Sequence, residues 1–108
     1  MSYTPISVSE THQKIQSGWS PYVLDVRTAE EAAAASLDFA DRLHPFERVA
    51  EIAEALPRDR DLLIHCRRGG RSAKACETLA ALGFTRLFNL EGGITDWAAE
   101  IDPSLQVI

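Results

Sequence analysis

Only two cysteines, Cys66 and Cys76, occur in the 108 residues, and no Cys-x-x-Cys pair is present. His12, His44 and His65 are too scattered to complete a zinc set, so no metal site is expected. Two cysteines are also too few for a disulfide-stapled scaffold, and a reducing compartment, the cytoplasm, is the expected address. No apolar run approaches the ~20 residues a bilayer span needs. The opening Met1-Ser2-Tyr3-Thr4-Pro5-Ile6 carries neither a basic nor an apolar stretch, so no export signal and no membrane partner are expected. Positive charge is the scarcer sign. Eleven Lys and Arg against sixteen Asp and Glu leave a net charge of −5, which argues against nucleic acid as a partner. Repeats, low-complexity tracts and Gly/Ser linkers are missing too, so residues 1–108 are expected to form one domain.

What is present is a regular alternation. Hydrophobic residues make up 45% and charged residues 25%, an ordinary globular balance. Pro21 to Val26, Asp61 to Cys66 and Thr85 to Leu90 are short apolar runs that predict strands covered on both faces, as in a parallel sheet. Helical patterns lie between them. Phe46, Val49, Ala50, Ala53 and Leu56 share one helix face, ended by Pro57. Ser72 to Leu82 predicts a second helix with Ala73, Cys76, Leu79 and Ala80 inward and Gly83 closing it. Ser9 to Ser17, Ile94 to Ile101 and Ala29 to Ala35, the last capped by Thr28, complete the set. Strands alternating with helices predict an α/β sandwich.

The chemistry concentrates in Leu62-Leu63-Ile64-His65-Cys66-Arg67-Arg68-Gly69-Gly70-Arg71-Ser72. A buried strand ends at a cysteine, a glycine-containing turn follows, and a helix begins. Open α/β sheets place their ligand crevices at the carboxyl ends of strands. Backbone N–H groups of the turn and the helix N-terminus can aim at the sulfur and favour thiolate over thiol. Gly69 and Gly70 can adopt angles that turn successive N–H groups inward as an anion-binding nest. Arg67, Arg68 and Arg71 add local positive charge to an acidic chain. A thiolate in such a nest can attack a sulfur or phosphorus atom and retain the transferred group covalently.

Cys66-Arg67-Arg68-Gly69-Gly70-Arg71-Ser72 resembles the active-site loop of rhodanese sulfurtransferases, which commonly reads Cys-x-x-Gly-x-Arg-Ser. Leu24-Asp25-Val26-Arg27 with Glu30-Glu31 resembles the family's early signature. Asn89-Leu90-Glu91-Gly92-Gly93-Ile94 with Trp97 resembles its late one. The resemblance runs from about Ile6 to Asp102. It implies a rhodanese-like three-layer sandwich whose central five-stranded parallel sheet is flanked by helices, with Cys66 as the sulfur carrier. One stretch departs: where many members have Gly-His-Ile-Pro-Gly-Ala, this chain has Ala35-Ser36-Leu37-Asp38-Phe39-Ala40. The tail Trp97 to Leu105 is similar to the end of rhodanese modules fused to adenylyltransferases that pass sulfur to carrier proteins.

The resemblance thus implies a cofactor-free sulfurtransferase with Cys66 as nucleophile and Arg67, Arg68, Gly69, Gly70 and Arg71 binding substrate. A small anionic donor such as thiosulfate would supply the sulfur, and a thiol, cyanide or sulfur-carrier protein would accept it. Asp25 and Arg27, at the end of a neighbouring strand, are expected to form a buried ion pair supporting the loop. Ser72 and Trp97 are expected to support it as well. Cys76, on a helix face, is expected in the core, with a resolving-thiol role as the alternative. His65 should point away from Cys66, since adjacent strand side chains face opposite ways. Two other functions compete: a non-catalytic partner-binding module, and a cysteine phosphatase or arsenate reductase. Cysteine phosphatases place five residues between Cys and Arg; here four intervene.

Overall fold

A computed structural model describes residues 2–108. Its strands are β1 (Thr4–Ile6), β2 (Tyr22–Asp25), β3 (Arg42–Leu43), β4 (Leu62–His65) and β5 (Leu87–Leu90). They form one sheet in the order β1-β5-β4-β2-β3, with every pairing parallel. The helices are α1 (Val8–Gln16), α2 (Ala29–Ala34), α3 (Gly70–Ala81) and α4 (Gly93–Glu100), with a 3₁₀ segment over Phe46–Ala55. The chain is therefore an α/β protein whose five-stranded parallel sheet carries helices on both faces. Among the described residues no helix is long and apolar enough to cross a membrane.

Side-chain alternation splits the core in two. Leu24, Val26, Leu62, Ile64 and Leu87 face one side, with Cys76 and Leu79 of α3 and Val49 and Ile52 of the 3₁₀ segment. Val23, Leu63 and Leu90 face the other, with Ile94 and Trp97 of α4. β4, at the centre of the sheet, is buried at every position, as its unbroken apolar run predicts. The two edge strands are not legible as strands, being only three and two residues long.

Helix starts follow local chemistry. The side chain of Ser7 caps α1 by accepting the Glu10 N–H. Thr28 and Glu31 form a reciprocal capping box at α2, so six residues hold a helix that is too short to persist alone. Gly83, at φ +96°, closes α3 as expected. The stretch over Phe46–Ala55 corrects an expectation. It winds as a 3₁₀ segment with a kink at Arg48, and Ile52 is buried while Ala50 is exposed. Three residues per turn bring Val49 and Ile52 over one another, where an α-helix would have shared the face with Ala50.

On the α4 face, Asp25 and Arg27 form an ion pair of 2.7 Å at 2% and 1% exposure. The Asp25 carboxylate also accepts from the Arg27 Nε and backbone N–H, and Arg27 donates onward to the carbonyls of Ala35 and Glu31. Hydrogen bonding on every side is what makes a buried pair tolerable. The divergent stretch beginning at Ala35 is anchored by this bond, and Ala35 and Leu37 are buried in the same core half as Trp97. Beside the pair sits His65, fully buried, with both ring nitrogens lacking a hydrogen-bond partner. Burial pushes its pKa from 6.5 down to about 4; Asp25, 3.9 Å away, opposes the shift and Arg27 reinforces it.

His65 is therefore neutral in the fold and chargeable when unfolded. Between pH 6.5 and about 4 the unfolded chain binds a proton that the native one refuses, so stability falls as acid is added. The expected loss is about 3 kcal/mol across that window. Urea unfolding followed against pH should show this slope flattened in His65→Met; an unchanged slope in the variant would refute the assignment.

Candidate active site

Cys66 follows the last residue of β4 and sits at the carboxyl edge of the sheet. Its side chain lies on the α3 face, opposite His65. The turn Arg67–Gly69 then leads into α3, and Gly69, at φ +111°, occupies the helix N-cap position without a capping side chain. The sulfur fills that role. Sγ accepts the Gly69 N–H at 3.0 Å and the N–H of Ser72, in the first turn of α3, at 3.4 Å. The Ser72 hydroxyl lies 3.4 Å from Sγ as well. Burial raises the cysteine pKa, but hydrogen bonding at Ser72 and from the N–H groups of Gly69 and Arg68 outweighs burial and holds the thiol below its ordinary value.

The turn keeps this shape because a second helix holds its outer side. The N–H groups of Ile94 and Thr95, at the start of α4, donate to the carbonyls of Cys66 and Arg67, each at 3.0 Å. The first-turn donors of α4 need partners, since Gly92 at its N-cap supplies none from a side chain. The Arg67 carbonyl shares its peptide with the Arg68 N–H, so its bond to α4 also fixes one of the donors that faces the sulfur. Gly93 makes the approach possible. At φ +57°, a Cβ there would fall 2.5 Å from both carbonyl oxygens.

Arg71 does not point into the turn. Its guanidinium grips the Glu31 carboxylate with two bonds of 2.7 and 2.8 Å, tying α3 to α2. That grip, against the cost of burial, holds the Glu31 carboxyl down at about 2. Glu31 also closes the α2 capping box, and its backbone carbonyl receives Arg27, so one residue joins the Asp25–Arg27 pair to the cysteine loop. Arg67 and Arg68 are exposed beside the sulfur. Gly70 begins α3 without a positive φ, and no atom lies within 4 Å of where a Cβ on it would stand. Only Gly69 of the pair therefore needs its glycine freedom.

Trp97 lies away from the sulfur, in the opposite core half, where it packs edge-on against His12 and tilted against Phe39. It pins α4 to the sheet and so acts on the loop through that helix. Cys76 is fully buried, and burial, with the charges of Glu77 and Cys66, pushes its thiol up to about 12. It has the character of a core residue. Three contributors are not evident from the sequence alone: Glu31 as the partner of Arg71, Gly93 as the close-contact glycine, and Asn89. The Asn89 side chain accepts from the Ser72 hydroxyl and donates to the Gly69 carbonyl. All three stand inside recognised motifs, but their roles depend on contacts between distant segments.

Comparison with known proteins identifies the family and the fold. The profile of the rhodanese-like domain matches residues 7–100. A sulfurtransferase from Allochromatium vinosum is 40% identical over 76 residues, covering 70% of each chain. The putative sulfurtransferase YtwF of Bacillus subtilis is 32% identical over 103 residues, 95% of this chain and 98% of its own. The crystal structure of a rhodanese-like domain protein from Staphylococcus aureus superposes with a TM-score of 0.81 at 30% identity, covering 97% and 98% of the two chains.

Two glycine substitutions separate the elements of the turn. Gly93→Ala should drive the loop carbonyls off α4, lower stability by at least about 2 kcal/mol and raise the Cys66 pKa. Gly70→Ala, at an unobstructed helical position, should change stability by less than about 1 kcal/mol and leave the thiol unmoved. Denaturant unfolding with pH-dependent alkylation checks both; equal effects would contradict the bracketing of the loop by α4.

Proposed function

This chain belongs to the rhodanese-like domain family, and from that membership we propose that it is a sulfurtransferase in which Cys66 carries a sulfane sulfur as a persulfide. The single observation that carries the proposal is the pair of backbone N–H groups, Gly69 and Ser72, bonded to the Cys66 sulfur within a turn of four residues before Arg71. A donor such as thiosulfate would meet a sulfur already biased toward the thiolate. Sγ bonds to the outer sulfur, the donor's S–S bond breaks, and its electron pair leaves with sulfite. An acceptor nucleophile then bonds to that same sulfur, the Sγ–S bond breaks, and the pair returns to Sγ. No metal or organic cofactor takes part in either exchange.

Access favours such a substrate. Cys66 is 1% exposed, so a donor must present its terminal atom end-on. A phosphoryl group would have to bring three oxygens down to the same depth. The phosphatase alternative also needs an acid for the leaving group, and Asp25, at the adjacent strand end, is committed to Arg27. Arg67 and Arg68 are free to attract a dianionic donor or an acidic acceptor. The acceptor is a nucleophile such as a thiol, one carried by a sulfur-carrier protein included, in line with the tail from Trp97 to Leu105; cyanide would substitute in an assay. Two unpaired cysteines fit a reducing compartment such as the cytoplasm.

Thiosulfate should add the mass of one sulfur to the protein, located on Cys66, and cyanide or a thiol should remove it; Cys66→Ser should gain nothing. Loading should accelerate as pH rises and level off above the Cys66 midpoint, because only the thiolate attacks and the midpoint lies below that of an ordinary thiol. Neutralising Arg67 and Arg68 to Ala should raise KM for thiosulfate by about fivefold, in a salt-sensitive way, with kcat little changed. Absence of any adduct with every sulfane donor tried would leave the non-catalytic module as the better account.

A further inference from the structure

The Ser72 hydroxyl has one proton and two claimants. Its oxygen lies 3.4 Å from Cys66 Sγ, and it donates to Asn89 Oδ1. The orientation of the Asn89 amide is not free. Its Nδ2 donates to the Gly69 carbonyl at 3.2 Å, and a carbonyl can only accept, so Oδ1 must face Ser72. Oδ1 itself can only accept, so the Ser72–Asn89 bond places the hydroxyl proton between those two residues. The Ser72 oxygen then turns lone pairs toward the sulfur. Ser72 is fully buried and Asn89 is 6% exposed, so solvent offers little substitute for either bond.

We infer that Asn89 is a positioning residue that tunes Cys66 by competing with the sulfur for the Ser72 hydroxyl proton. While that proton rests on Asn89, the thiolate is held by backbone N–H groups alone and keeps its nucleophilicity. A sulfur that accepts every available donor is a better leaving group and a poorer attacker. Both tasks fall to Cys66 in the transfer proposed above, and the kinetic half of the inference rests on that proposal. When the acceptor bonds to the outer sulfur and the Sγ–S bond breaks, negative charge grows on Sγ. The hydroxyl can then turn from Asn89 to Sγ. No proton changes owner, and the hydrogen bond simply changes partner.

The resting half can be tested without any sulfur donor, by the pH midpoint of iodoacetamide alkylation at Cys66, read by mass. Asn89→Leu removes the competing acceptor and fills its volume, so the hydroxyl should turn to the sulfur. The midpoint should fall by about one pH unit, the displacement expected when a thiolate gains one further charged hydrogen bond. Adding Ser72→Ala to that variant should cancel the fall, while Ser72→Ala alone should move the midpoint much less. Asn89→Asp keeps the acceptor but loses the bond to Gly69, and should raise the midpoint.

A fall in Asn89→Leu that survives Ser72→Ala would overturn the inference, as would a midpoint at or above that of the unaltered protein. A fall shared by the Leu and Asp variants would assign the effect to the lost Gly69 tether and overturn it too. If Asn89→Leu does not fold, Asn89→Ala with Asn89→Asp makes the same comparison. Failure of thiosulfate to load the unaltered protein would count against the transfer proposal and leave these midpoints readable.

Discussion

Two hydrogen bonds on the outside of the cysteine turn decide what happens on its inside. The carbonyls of Cys66 and Arg67 are taken by the first-turn N–H groups of α4, and the peptides that carry them are thereby fixed in orientation. A thiolate alone would attract donors, but it could not hold a short flexible loop in one arrangement against the entropy of its alternatives. α4 can, because it is anchored independently by Ile94 and Trp97 in the core half that does not contain the sulfur. The loop is thus clamped from one face of the sheet and used from the other. A glycine at position 93 is the condition for this, since a side chain there would meet two backbone oxygens that have nowhere to move.

A chain of charged contacts carries the same constraint around the carboxyl edge. Asp25 holds Arg27, Arg27 holds the backbone of α2, Glu31 of α2 holds Arg71, and Arg71 opens α3 behind the sulfur. Each link is charge-assisted, and the Asp25–Arg27 pair at its root is sheltered from water, which sets it apart from a surface pair. The consequence for Arg71 is specific. Its positive charge is largely neutralised by Glu31, so it contributes position more than field. The field at the sulfur comes mainly from oriented amides, which need no counter-charge and cost little reorganisation when a group is transferred.

The parts of the molecule that are legible from the chain are those governed by local rules. β4 and β5 announce themselves as apolar runs, α2 through Thr28 and its alanines, and the end of α3 through Gly83. The cysteine turn is legible because strand, glycine and helix meet within a few residues. What escapes depends on partners far away in sequence. Glu31 meets Arg71 across forty positions, and Gly93 meets Cys66 across more than twenty. β1 and β3 are too short to carry a periodic signal and exist because an edge of the sheet needs a partner. The 3₁₀ winding over Phe46–Ala55 is a matter of fit against α3: at one hundred degrees per residue, Ala50 and Ala53 could line a helix face, yet Ile52 is the larger side chain to bury.

Stabilisation and recognition are consequently separated in this site. The sulfur is held by backbone donors, which every residue except proline supplies, whereas the side chains of Arg67 and Arg68 extend outward and take no part in holding it. Substituting those arginines changes what the entrance attracts without disturbing the amides behind it. The reverse holds for Ser72, Asn89 and Gly93, which are buried behind the entrance and form the framework around the sulfur. A net negative protein can therefore carry locally positive side chains at this edge of the sheet while charge on its sulfur would be balanced by dipoles, and the two features can vary independently.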